Sequence, residues 1–217
     1  MKDLAVVLVT CDKYSWLWDA WYYYFRKHWH VDCPVYFCNE IKPVDYDGIT
    51  HVPCGYVSPN ANGWTKQVRE CVEQIPEQHL FVILEDLLFE KDISETFKKL
   101  YVAFKLLGAD AMRIRSKATR AKMTFTSICI DGVGIKCLTD NSKYLITFSA
   151  NLWDRTYLME CLSRDQSPWT AELSSRMKGM GWRVYDYVMP NWYVNALVLG
   201  RMTTGGTRKI NEYENRG

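Results

Sequence analysis

Two short stretches fix most of what this chain can fold into. Residues 4–9, LAVVLV, and residues 80–84, LFVIL, are apolar at every position. A strand with one wet face alternates apolar and polar side chains, so a strand without alternation is covered on both faces, as in a mainly parallel sheet between helix layers. Each run stops abruptly in acid-bearing polar residues: Thr10-Cys11-Asp12 after the first, Glu85-Asp86 after the second.

Between them Trp18, Tyr22, Phe25 and Trp29 recur at helical spacing, with Ser15 as the expected N-cap and Arg26 and Lys27 in the closing turn. A short strand, VYFC at 35–38, and a Pro/Gly/Asn-rich stretch over 43–63 that reads as a weak strand plus loop lead to a second stripe at Trp64, Val68, Cys71, Val72 and Ile75. The order β-α-β-α-β predicts an α/β fold: an open, mostly parallel sheet flanked by helices, with right-handed crossovers. Ligands of such sheets collect beyond the carboxyl ends of the strands, so Asp12 and Glu85-Asp86 are expected to share one crevice.

The second half is less regular. It predicts a helix over 93–107, a strand over 111–114, a hairpin over 125–138 turning at Asp131-Gly132, and a strand over 143–149. A helix over 154–162, another begun by Ser167-Pro168, and a strand over 182–188 follow. The expected organisation is a single domain over 1–202 and a polar tail over 203–217 that orders only on a ligand.

Composition removes whole classes. Nine Trp, 14 Tyr and 8 Phe in 217 residues supply enough apolar surface to offset ordering entropy, which excludes a disordered chain. No window reaches the roughly 18 apolar residues of a spanning helix, and the first apolar run is too short for a signal peptide, so a cytoplasmic protein is expected. The eight cysteines form no CxxC pair and read as reduced thiols. His28, His30, Cys33 and Cys38 crowd eleven residues, but they fall at a helix end and in a strand, without zinc-site spacing. GxGxxG, the P-loop, GxSxG and HExxH do not occur, which removes dinucleotide oxidoreductase, P-loop kinase and serine hydrolase readings.

Three constellations carry possible chemistry. Glu85 and Asp86 could hold a divalent cation through oxygen, although neighbouring strand side chains point apart and only one reaches a given ion unless the chain has turned. Glu172, in Ser167-Pro168-Trp169-Thr170-Ala171-Glu172, lies beside a Trp that can exclude water and raise a carboxylate towards a general-base pKa. Arg113, Arg115, Lys117, Arg120 and Lys122 place five positive charges in ten residues, the first two on one strand face, and suggest a surface for diphosphate, acidic glycan or nucleic-acid backbone.

Taken in order, VVLVTCDKYSWLWDAWYYYFRKHW, NGWTKQVRECVEQIPEQHLFVILEDLLF, YLITFSANLWDRTYLMECLSRDQSPWTAE and YVNALVLGRM span most of the chain. Together they resemble a family of small glycosyltransferase-like proteins of bacteria and their phages, with a nucleotide-diphospho-sugar transferase fold of the GT-A type. The resemblance implies that Thr10, Cys11 and Asp12 line the nucleoside site, with Trp64 and Arg69 beside the donor. It implies Asp86, with Glu85, as ligands of Mg²⁺ or Mn²⁺ against the diphosphate, and Glu172 as the base of an inverting transfer. Ser149, Asn151, Trp153 and Trp169 would shape the sugar and acceptor pocket.

Two departures stand out: Glu85-Asp86-Leu87-Leu88 replaces two aspartates followed by aromatics, and Ala150-Asn151 replaces a position often held by Gln. The implied partners are a nucleotide-diphospho-sugar donor and either a surface glycan or lipid-linked sugar, or a hydroxymethylated pyrimidine in phage DNA, as acceptor. The alternative is a non-catalytic nucleotide- or nucleic-acid-binding module on the same fold.

Overall fold

The computed structural model describes residues 1–117, 123–139, 142, 144–174 and 178–216. Its strands are β1 (Leu4–Val9), β2 (Val35–Cys38), β3 (Thr50–His51), β4 (His79–Leu84), β5 (Leu87–Phe89), β6 (Ala111–Arg115), β7 (Met123–Ile130), β8 (Val133–Leu138), β9 (Asn151–Asp154), β10 (Val184–Val188), β11 (Tyr193–Asn195), β12 (Leu197–Val198) and β13 (Arg201–Met202). The helices are α1 (Trp18–His28), α2 (Trp64–Glu73), α3 (Ser94–Leu106), α4 (Arg155–Cys161), α5 (Pro168–Leu173) and α6 (Thr204–Glu214).

Among the described residues, nine strands form one sheet in the order β3-β2-β1-β4-β9-β6-β10-β8-β7. The pairs β3-β2, β2-β1, β1-β4 and β6-β10 are parallel, and β9 and β8 run against their neighbours. Seven of the nine strands therefore point the same way, as the unbroken apolar runs require.

β1 shows how a run without alternation is used. Leu4, Val6 and Leu8 face one core with Trp21, Phe25, Trp29, Phe81 and Phe97, whereas Ala5, Val7 and Val9 face a second core with Val68, Val72, Trp153 and Tyr157. The first layer is aromatic: Trp29 stacks on Phe81 at 5.4 Å and meets Phe97 edge-on at 4.7 Å. The buried side chains of α1 are Trp18, Ala20, Trp21, Tyr24 and Phe25, with Trp29 beyond its end; Tyr22 turns outward to stack on Tyr46 at 4.5 Å.

Several local expectations change. Ser15 does not cap α1, which is reached through a 3-10 turn over Asp12–Leu17; the Ser15 hydroxyl accepts from Lys42 Nζ instead. No strand forms over the described residues 144–149, where Tyr144 has φ 55°. Ser167 does cap α5, accepting from Thr170 N at 3.2 Å with Pro168 in the first turn. The segment expected as a tail holds helix α6, capped by Thr203 and fastened to α1: Tyr24 Oη donates to the Lys209 carbonyl at 2.8 Å, and the Lys209 ammonium lies 4.2 Å over the Tyr24 ring.

Candidate active site

The carboxyl ends of β1, β2 and β4 meet at one edge of the sheet, and there the acids gather. Glu85 is buried at 7% exposure. Its carboxyl is pushed up to about 8 by burial and by the charge of Asp86, opposed by a hydrogen bond from Thr10. Asp86, half-buried, is pushed up to about 6 by the same desolvation, and its Oδ1 is enclosed without a hydrogen-bond partner. Among the described residues no ion pair reaches either carboxylate.

The walls of this acidic mouth come from three elements. Burial, with the negative charges of Glu85 and Glu40, lifts the Cys11 thiol to about 11. Tyr14 and Tyr193 lie within the field of Asp86, and Tyr193 is delivered by β11, which pairs antiparallel with β5 immediately after the acidic turn. Thr10 Oγ1 accepts from Trp18 Nε1 at 3.0 Å, which anchors the start of α1 to the mouth.

Asp12 is occupied locally. Its Oδ1 accepts from Asn39 Nδ2 at 2.7 Å and its Oδ2 from the backbone N–H groups of Ile41 and Lys42, so it staples the loop after β2. Glu40, from that loop, accepts from Asp12 N at 2.9 Å and from Gln67 Nε2 at 3.3 Å, and so ties the mouth to α2.

A second cluster sits at the same sheet edge. Val82 of β4 pairs with Asn151 of β9, and because β9 runs against β4, the residues just before Asn151 extend alongside the end of β4. Those residues hold Glu172: its Oε1 accepts from Phe148 N at 2.8 Å and from Thr147 Oγ1 at 3.0 Å. Burial raises the Glu172 pKa, opposed by these two donors and by the charge of Arg113. Ser149 exchanges a 3.2 Å hydrogen bond with Thr147, Trp64 meets Phe148 edge-on at 4.9 Å, and Trp169 stands 63% exposed one helical turn before Glu172.

Other expected site residues are elsewhere. Trp153 is fully buried against Phe148 and Tyr157 and belongs to the second core, with Val7, Val72 and Leu158. Asn151 is likewise fully buried. Arg69 turns away, donating to the Leu162 carbonyl at 2.6 Å and to Asp165 at 3.1 Å.

The basic surface is also corrected. β6 lies inside the sheet between β9 and β10, and its Arg113 and Arg115 converge on buried Asp186 of β10, with Arg115 Nε and Nη2 at 2.6 and 2.5 Å. Lys117 is exposed, while Arg120 and Lys122 lie outside the described residues.

The rule that picked out Asp12 and Glu85 would also have found Asn39-Glu40 at the end of β2. Tyr193 was visible in the closing motif without a role.

Solved structures of low sequence identity share this fold. UDP-glucose pyrophosphorylase complexed with UDP-glucose superposes with a TM-score of 0.59 at 10% identity, covering 100% of both chains. S. aureus TarS 1–349 gives 0.56 at 13% identity, covering 89% of this chain and 60% of that one, and its complex with UDP-GlcNAc gives 0.53. The 4-diphosphocytidyl-2C-methyl-D-erythritol synthase of Anaerococcus prevotii gives 0.55 at 12% identity over 99% of this chain.

The chain has a nucleotide-diphospho-sugar transferase (GT-A-like) fold. It spans less than two thirds of the TarS fragment. No protein-family model matches the sequence, and no curated protein is significantly similar to it. Among the described residues no helix is long and apolar enough to cross a membrane, and no three His, Cys, Asp or Glu side chains form a ready metal cluster.

A divalent cation fits the two acids that are present. An enclosed carboxylate oxygen without a donor, beside a second buried carboxyl and with no ion-pair partner among the described residues, is the environment a cation relieves. The remaining ligands of such an ion would come from phosphate and water, as is usual for Mg²⁺ beside a nucleotide.

Proposed function

We propose that the protein is a glycosyltransferase that moves a sugar from a nucleotide-diphospho-sugar to a hydroxyl group of a glycan or lipid-linked sugar. Glu172 carries this reading: a carboxylate with a raised pKa, held by two donors on one oxygen, one helical turn from an exposed Trp. In the proposed step the acceptor oxygen attacks the anomeric carbon and its proton passes to Glu172. The bond from that carbon to the donor diphosphate breaks, and the electron pair leaves on the diphosphate; a single displacement inverts the anomeric centre.

Thr10, Cys11, Tyr14, Asp86 and Tyr193 would enclose the nucleoside diphosphate, and Trp169 would offer a ring face to the acceptor sugar. Mg²⁺ or Mn²⁺ held by Asp86, with Glu85 behind it, would supply neutralisation of the leaving diphosphate.

The neighbours solved with UDP-GlcNAc and UDP-glucose support a nucleotide-sugar ligand. Nucleotidyl transfer onto a sugar phosphate is the other chemistry such a ligand invites, but its nucleophile is already ionised and gives Glu172 no proton to take. A DNA acceptor loses its main support because Arg113 and Arg115 are spent on Asp186.

Glu172→Gln tests the reading. Transfer should fall by roughly 10²–10⁴-fold while donor binding by thermal shift is retained. Wild-type rates in this variant would reject Glu172 as the base. Transfer to hydroxymethylated DNA with a steep salt dependence, and none to glycans, would reject the acceptor class.

A further inference from the structure

Residues 144–149 hold Glu172 in place, yet they form no regular secondary structure. Two buried side chains hold them instead. Arg113 Nη1 donates to the Tyr144 carbonyl at 2.8 Å, and Asn151 Nδ2 donates to the Thr147 carbonyl at 3.1 Å. Arg113 and Asn151 are direct cross-strand partners of β6 and β9, so the two clamps rise side by side from the sheet and grip the segment three residues apart. The next donors along it, Thr147 Oγ1 and Phe148 N, are the pair that binds Glu172.

Both clamps are costly to bury. Asn151 is fully enclosed and its Oδ1 has no partner among the described residues, so the Nδ2 bond to Thr147 is the return on placing an amide there. Arg113 is 3% exposed, and Asp186, shared with Arg115, is its directly bonded counter-charge and fixes its plane, with Nε 3.0 Å from Oδ1. An aliphatic side chain at either position would fill the core with less desolvation. The arrangement is explained by what it orients.

We propose that Arg113 and Asn151 are positioning residues that lock the segment over 144–148 and thereby fix the Glu172 carboxylate for proton transfer. This rests on the reading of Glu172 as the base. The charged groups facing Glu172 are then Arg113 from β6, with Asp186 of β10 and Arg115 behind it.

The test uses the full chain with ¹³C-labelled glutamate carboxyls, the Glu172 signal being assigned by its loss in Glu172→Gln. In Asn151→Leu and in Arg113→Lys the Glu172 titration should move upward, because the Phe148 and Thr147 donors no longer stay in bonding distance. Transfer should fall by up to about 10²-fold, as expected for misplacement of a catalytic group, while thermal shift by UDP-GlcNAc or UDP-glucose is retained. Should Arg113→Lys fail to fold, Asn151→Leu, which strands no charge, carries the test. A titration unchanged from wild type in the folded variants overturns the proposal. A shifted titration combined with wild-type transfer by Glu172→Gln upholds the positioning and overturns the base instead.

Discussion

Asp186 and Asp86 are both aspartates withdrawn from water at the sheet, and they are treated oppositely. Asp186, 1% exposed, receives two arginines, Arg113 and Arg115, through bonds of 2.5 to 3.0 Å. Asp86 shares its turn with Glu85, pairs with no basic side chain among the described residues, and keeps one oxygen without a donor among them. A fold that can supply two guanidinium groups to one acid shows that charge balance was available to the sheet. The other acid is left unbalanced, which supports the proposal that it meets a group arriving with positive charge, whereas Asp186 is already paired and holds β6 against β10.

Removing each acid breaks the comparison most directly. Asp186→Ala takes from buried Arg113 its directly bonded counter-charge, leaving only the facing Glu172, and should cost about 3–5 kcal/mol, the range for breaking one side of a buried pair. At about 2–4 °C per kcal/mol for a chain of this size, the melting temperature should drop by roughly 6–20 °C. Asp86→Asn should not destabilise in that way, because it removes an unbalanced charge. A melting temperature for Asp186→Ala within 2 °C of wild type, under ~1 kcal/mol, would mean that the pair contributes nothing.

The next largest effect comes from pH and metal. Burial and Asp86 raise Glu85 from its ordinary 4.5 to about 8 in the folded chain. A carboxyl with a raised folded pKa contributes stability that is full below the unfolded value and lost as pH climbs through the folded one. The metal-free protein should therefore lose stability between about pH 4.5 and 8, and Glu85→Gln should flatten that slope. Mn²⁺ at a hundred times its dissociation constant should add about 2.7 kcal/mol, and the gain should grow with pH as the carboxyls ionise. Differential scanning fluorimetry from pH 5 to 8.5, with and without Mn²⁺, checks both. A Mn²⁺ shift that survives unchanged in Asp86→Asn would move the cation elsewhere.

The contrast also explains what was legible in the sequence. Glu85-Asp86 could be singled out because an unbroken apolar strand announces its own carboxyl end, and parallel sheets gather ligands there. The alternation Met112-Arg113-Ile114-Arg115 correctly puts both arginines on one face. The sequence alone makes that face a surface, because a single strand carries no sign of its place in the sheet. β6 is interior, and the acid that balances it, Asp186, is opposite Arg113 in register but 73 residues later in sequence.

The same gap hid the segment at 144–149: LITFS reads as a strand by composition, but β9 already occupies the space between β4 and β6. Glu172 was legible as an acid beside a Trp in a capped helix. Its two donors were not, since they come from residues 24 and 25 positions earlier.

The smallest effect refines the comparison with a third acid. Among the described residues Asp12 is held by neutral donors, Asn39 Nδ2 and the N–H groups of Ile41 and Lys42. Neutral donors satisfy a carboxylate without cancelling its charge, so Asp12 stands between the paired Asp186 and the unpaired Asp86. In Asp12→Asn one oxygen can still accept, but the amide nitrogen cannot take the second set of donors. The loss should be about 1.5–3 kcal/mol, the usual value of a hydrogen bond to a charged group. The loop after β2 should loosen and carry Glu40 with it, since Asp12 N donates to Glu40. Titration of wild type and Asp12→Asn with UDP-GlcNAc and UDP-glucose separates a staple from a ligand contact. A staple gives a lower melting temperature with the affinity changed by less than about threefold, under 1 kcal/mol. An affinity loss of tenfold or more, about 1.4 kcal/mol, at unchanged melting temperature would put the Asp12 carboxylate on the nucleoside itself.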